Sequence, residues 1–184
     1  MTSGADGIVP DDKDWTWVLD RPCPECGLDS RTLDRADIAR LLRSSAAAWQ
    51  PVLLAAAVRD RPAPDVWSPL EYGCHVRDVF VLFNERLLLM LTADDARFTN
   101  WDQDETAVAR RYEEQNPSAV AEDLAAAGQA IADRFDTVTG EQWDRTGSRS
   151  DGATFTISSF ARYLVHDVVH HLHDVRAHVV DEPP

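Results

Sequence analysis

The chain has almost no lysine: Lys13 is the only one in 184 residues. Lysine and arginine together number 18 against 32 acidic residues, a formal net charge of -14, and the isoelectric point is near 4.6. The arginines are scattered and form no basic patch. A phosphate backbone is repelled by such a surface, so nucleic acid is excluded as a partner. Glycine is also scarce, with 8 residues. Alanine-rich stretches are frequent, and together these favour helix over sheet. No apolar run is long enough to span a bilayer, because Asn84, Glu85 and Arg86 interrupt the longest, Val79 to Leu91. The N-terminus lacks the basic and apolar regions of a secretory signal. Three cysteines make an odd count and no disulfide framework. A cytoplasmic protein away from membranes is the expectation.

What is present is helical periodicity. The acidic residues 1 to about 14 read as a disordered or loosely attached tail. Residues 15 to 33 form an irregular lead-in with Trp15, Trp17, Cys23 and Cys26, so 1–33 separates from a domain at 34–184. Four amphipathic segments follow. The first runs from near Asp34 to about Arg59, with Ile38, Leu41, Leu42, Ala46 and Trp49 at helical spacing. The second opens at Ser68-Pro69-Leu70-Glu71, a capping box with proline at the first helical position. It continues through Val76, Val79, Phe80, Phe83, Leu87 and Met90. The third spans Asn116-Pro117 to about Val138, and the fourth Thr156 to about Val180. Two long connections remain, Thr92 to Gln115 and Gly140 to Phe155. An all-α four-helix bundle is the natural architecture.

Four of the six histidines lie between His166 and His173. His166 and His170, four residues apart on a helix, stack one turn above another and can offer two nitrogens to one ion. His75, near the start of the second helix, can supply a third if that helix is a neighbour. Three ligands leave a coordination position for water or substrate. An exposed histidine stripe would look the same, since His166 and His170 lie well outside the centre of their helix's apolar arc. The pairs His166/His173 and His170/Asp174 are alternatives. Asp78, Asp167 and Asp174 are candidates to orient imidazoles, or else solvated carboxylates.

Cys23-Pro24-Glu25-Cys26-Gly27 has the form of a zinc knuckle or a redox pair. A structural zinc-ribbon site needs a second pair, and the sequence offers none. Cys74 is a candidate third ligand if the lead-in folds over the second helix. The plain alternative is a tight turn with reduced thiols. Trp15 and Trp17 read as anchors for the segment, with a role as pocket walls the second reading.

Over residues 34 to 180 the chain resembles the DinB-like superfamily, which includes the mycothiol-dependent maleylpyruvate isomerase metal-binding domain and thiol S-transferases. The resemblance rests on the helix order, on Trp67-Ser-Pro-Leu-Glu-Tyr-Gly-Cys-His75, on the Trp101 to Glu105 stretch and on the terminal HxxxH. It implies an up-down-down-up bundle and a divalent metal, zinc or nickel, held by His75, His166 and His170. It also implies a small-molecule substrate and a thiol co-substrate such as mycothiol, as in actinobacteria, whose GC-rich coding the composition suggests. The isomerase branch carries glutamate at the middle ligand, where this reading has His166, a departure that argues against that reaction. A thiol-transferase-like enzyme is therefore expected. A metal-dependent hydrolase, a non-catalytic stress-response module and a plain helical scaffold are the alternatives, and a homodimer is left open.

Overall fold

The computed structural model describes Ile8 and residues 14–179. The rest of the acidic N-terminal tail lies outside the described residues. The main helices are α1 (Ile38–Leu53), α2 (Pro69–Thr92), α3 (Gln103–Ala109), α4 (Pro117–Asp136) and α5 (Ile157–Val179).

Local chemistry sets these boundaries. At α2 the Ser68 hydroxyl accepts from the Glu71 amide at 3.3 Å, and the Glu71 carboxylate accepts from the Ser68 amide at 2.9 Å. This reciprocal pairing satisfies two amide donors that a helix start leaves free. Arg61 donates to the same carboxylate at 2.9 Å, tying the preceding connection to the helix start. His75 is thereby held in the second turn of α2. Asn116 caps α4 by accepting from Ala119 at 3.1 Å. Thr156 opens α5, its hydroxyl accepting from the Ser159 amide at 3.0 Å.

The expected first helix is shorter than its periodicity suggested. A 3-10 turn at Arg35–Asp37 precedes it, and it ends at Leu53 instead of near Arg59. Beyond that point Val58 folds back into the core, and its carbonyl accepts from the Leu70 amide at 2.8 Å. That bond holds the connection against the start of α2 and draws the chain off the helical path.

α4 and α5 each pack against both α1 and α2. The order around the bundle is therefore α1, α4, α2, α5, which places α1 and α2 on a diagonal. The core between them holds Trp49, Phe80, Phe160, Leu124 and Ile131, all fully buried. α1 and α4 approach closely at Gly128, where an added Cβ would lie 2.5 Å from the Cβ of Ala46.

The two long connections carry structure that their sequence did not announce. The first holds α3 and a short strand, β1 (Ala96–Phe98). The second holds β2 (Thr146–Arg149) and β3 (Thr154–Thr156). β1 pairs parallel to β2, with Ala96 opposite Gly147, and β2 pairs antiparallel to β3, with Gly147 opposite Phe155. Arg145 donates to the Met90 and Ala93 carbonyls at 2.7 Å each, fastening this small sheet to the end of α2. Among the described residues, no helix is long and apolar enough to cross a membrane.

Candidate metal centres

Two rows of side chains climb α5, His166 with His170 and, one residue further on, Asp167 with His171. Each pair spans about one turn. Because successive residues are rotated by about 100°, the two rows face different neighbours. Asp167 and His171 turn toward α2, and His166 and His170 turn toward the lead-in, whose 3-10 turns at Trp15–Leu19 and Ser30–Thr32 pack on α5.

The first cluster is His75, Asp167 and His171. Their ligand atoms all lie within 4.8 Å of one another. His75 Nε2 and His171 Nε2 are each 3.9 Å from Asp167 Oδ1. The two imidazoles meet edge to face at 4.8 Å. His171 uses its other nitrogen, Nδ1, toward Asp174 Oδ2 at 3.1 Å. That contact leaves Nε2 directed at the cluster, the usual way in which a ligating imidazole is oriented. His75 is 1% exposed, and neither of its ring nitrogens has a hydrogen-bond partner. A buried imidazole with both nitrogens unsatisfied is costly unless something else binds it. The Trp101 ring stacks on it at 5.3 Å and Trp67 lies at 5.4 Å. Burial, reinforced by His171, holds the His75 pKa well below the usual histidine value. The ring is therefore neutral, as a ligand must be. Two imidazoles and a carboxylate form a donor set that suits zinc, nickel or iron with positions left open. The cluster lines a cleft of about 800 Å³ together with Trp67, Trp101, Arg86 and Tyr163, and His166 and His170 of the neighbouring row line the same cleft.

The second cluster is Cys23, Cys26, His166 and His170, again with all ligand atoms within 4.8 Å. Cys23 Sγ lies 3.6 Å from His170 Nδ1. His170 Nε2 faces Glu25 Oε2 at 3.3 Å and Asp174 Oδ1 at 3.6 Å. His166 is 3% exposed, and its Nε2 has no hydrogen-bond partner. The Trp15 ring covers both histidines, at 5.8 Å from His166 and 5.1 Å from His170. Burial pushes the Cys26 thiol up to about 11 and lowers His166 to about 4.

The structure thus brings His166 and His170 together as their spacing suggested and seats His75 in a different cluster. Its partners there are Asp167 and His171. His171 was not among the ligands read from sequence, and Asp167 was read only as an orienting carboxylate. The exposed-stripe alternative does not describe these histidines, since His75, His166 and His170 are all buried. His173 is exposed and belongs to neither cluster. Asp174 contacts an imidazole from each row. Asp78 is occupied elsewhere, accepting from the Tyr112 hydroxyl at 2.5 Å and from Arg77 and Arg110 at 3.0 Å. Cys74 packs 3.8 Å from the Tyr112 carbonyl, outside the cysteine cluster. Trp15, read as an anchor, also lines the cleft.

Residues 52–175 match the family model of the DinB superfamily. Among solved structures, YfiT from Bacillus subtilis aligns with a TM-score of 0.69 at 14% identity, over 79% of this chain and 87% of YfiT. YfiT is described as a probable metal-dependent hydrolase with an unusual four-helix bundle topology. At that identity the likeness shows the fold. No curated protein matches the chain.

Proposed function

The chain belongs to the DinB superfamily, and from that premise we propose that it is a divalent-metal-dependent enzyme whose ion is held by His75, Asp167 and His171. The observation that carries this reading is the convergence of those three side chains on the wall of an open cleft, around a buried imidazole with two unsatisfied nitrogens. Three protein ligands with room beside them is the arrangement of catalytic sites, whereas structural sites close all four positions.

His75, Asp167 and His171 would hold a divalent ion, which when bound would supply a water or thiol activated as a nucleophile at neutral pH. The chain's own residues do the rest. Asp174 holds the His171 tautomer, Trp67 and Trp101 fix the His75 ring, and the cleft walls position a small substrate. Arg86, lowered to about 10 by burial and by Arg149, keeps its positive charge at neutral pH; it lines the cleft while donating to the Thr99 carbonyl at 2.7 Å, and gives the wall a cationic character that favours an anionic substrate group. A low-molecular-weight thiol such as mycothiol is the nucleophile we favour. The isomerase branch carries glutamate at the middle ligand. On this reading Asp167 takes that position with the same functional group on a side chain one methylene shorter, so the departure is narrower than the one read at His166. Hydrolysis is the second reading, favoured by the description of YfiT.

The test is turnover by zinc- or nickel-loaded protein, with a thiol plus an electrophile, and separately with water as the only nucleophile. Thiol-dependent product that disappears in His75→Ala supports the transferase reading, and thiol-independent cleavage supports the hydrolase. Wild-type protein that neither binds zinc or nickel at this cluster nor loses activity on chelation contradicts both.

A further inference from the structure

Cys23, Cys26, His166 and His170 are more than this proposed function requires. We infer that they form a second, structural zinc site that clamps the lead-in onto α5. The inference is independent of any reaction at the His75 cluster.

Four observations support it. The first is ligand chemistry and spacing. Two thiols at C-x2-C and two imidazoles at H-x3-H are the donor set and spacing of tetrahedral structural zinc, and soft thiolates select zinc over the hard cations. All four ligand atoms already converge within 4.8 Å.

The second is the turn that carries the cysteines. The Gly27 amide donates to the Cys23 carbonyl at 3.0 Å, and the Cys23 amide donates to the Leu28 carbonyl at 2.9 Å. Gly27 has φ +76, in the left-handed region that glycine enters without strain. The resulting knuckle turns both thiols the same way, against α5.

The third is the pattern of what is paired and what is not. His170 has Nε2 beside the carboxylates of Glu25 and Asp174, so Nδ1 is left for the metal on the side of Cys23. His166 Nε2 is buried with no partner, pointing to an atom that the protein itself does not provide. Trp15 then covers both rings.

The fourth is position in the chain. Cys23 and His170 are 147 residues apart. The clamp therefore joins the lead-in to α5, at opposite ends of the chain. Closing so long a loop restricts the unfolded chain, as a long-range crosslink does. It also holds the lead-in beside the cleft that Trp15 and Glu25 help to line.

The experiment uses the full chain, with zinc counted by elemental analysis and cobalt(II) as a spectroscopic substitute. The wild type is expected to bind a second equivalent of zinc beyond that of the His75 cluster. Its cobalt form is expected to show a thiolate-to-cobalt charge-transfer band. Cys23→Ser with Cys26→Ser should remove that equivalent and the band. Glu25→Gln, which keeps all four ligands, should weaken zinc at this site by about 10–100-fold. Should the double variant fail to fold, alkylation of the wild-type thiols decides the matter. Cys23 and Cys26 should resist alkylation when zinc-loaded and react after chelation. An unchanged zinc count in the folded double variant overturns the inference. So does a wild type whose two thiols react equally with and without zinc, or are joined as a disulfide.

Discussion

His166 and His170 face the lead-in, and Asp167 and His171, one residue along, face α2. Both rows offer two ligands at one-turn spacing from the same helix. What differs is what meets them. The lead-in brings two thiols and an aromatic cover, completing four ligands under Trp15. α2 brings a single imidazole, so only three ligands converge there, on a cleft that His166 and His170 also line. Ligand spacing alone therefore does not decide between clamp and catalyst. The number of donors on the opposing segment decides it.

Variants in the two clusters should have opposite phenotypes. His75→Ala should lower turnover by roughly 10³-fold or more, the several kcal/mol attributed to a metal-activated nucleophile. Steady-state kinetics and a metal count check this, and the zinc on the cysteine side should remain. Cys23→Ser should do the reverse. It should cost about 2–5 kcal/mol of stability, comparable to removing a crosslink that closes a long loop. Denaturant titration measures that loss, while the folded fraction keeps the ion at His75.

Gly128→Ala serves as a control for instability without metal loss. Its added methyl would meet the Cβ of Ala46 at 2.5 Å, so α1 and α4 must shift, at about 1–3 kcal/mol. The melting temperature should fall with both metal equivalents retained.

The smallest effect is in the pH dependence of the metal-free protein. His166 is lowered from 6.5 to about 4 by burial and then by His170 and His171, and His75 is lowered in the same direction. Below pH 6.5 the unfolded chain takes up protons that the folded chain refuses. Stability should therefore be fully present above 6.5 and fall as the pH drops toward 4. Urea midpoints across that range check the sign, and a rise on acidification would contradict it.

Much of the bundle was legible because its signals are local. The Ser68/Glu71 capping box, Pro69, and Asn116-Pro117 each mark a helix start through bonds within a few residues. The sheet was not, because strands of three or four residues such as Ala96–Phe98 are too short to show alternation. At the site, the sequence contained two interleaved i, i+4 pairs, and His166/His170 was the more conspicuous. Its distance from the apolar arc was the useful clue. At 100° per residue His171 falls nearer that arc than His170 does, so it is the row closer to the rest of the bundle. His166 and His170 point away from the bundle core, where only an extra segment could bury them. The missing second pair for CxxC was therefore present, as histidines far along the chain. Spacing carries no information about contacts over such a separation.

The most direct test is an anomalous difference map at the zinc edge from crystals of the full chain grown with zinc. Two separate peaks on α5 are predicted, one bounded by Cys23, Cys26, His166 and His170 and the other by His75, Asp167 and His171. A single peak shared by His75, His166 and His170 would contradict the account.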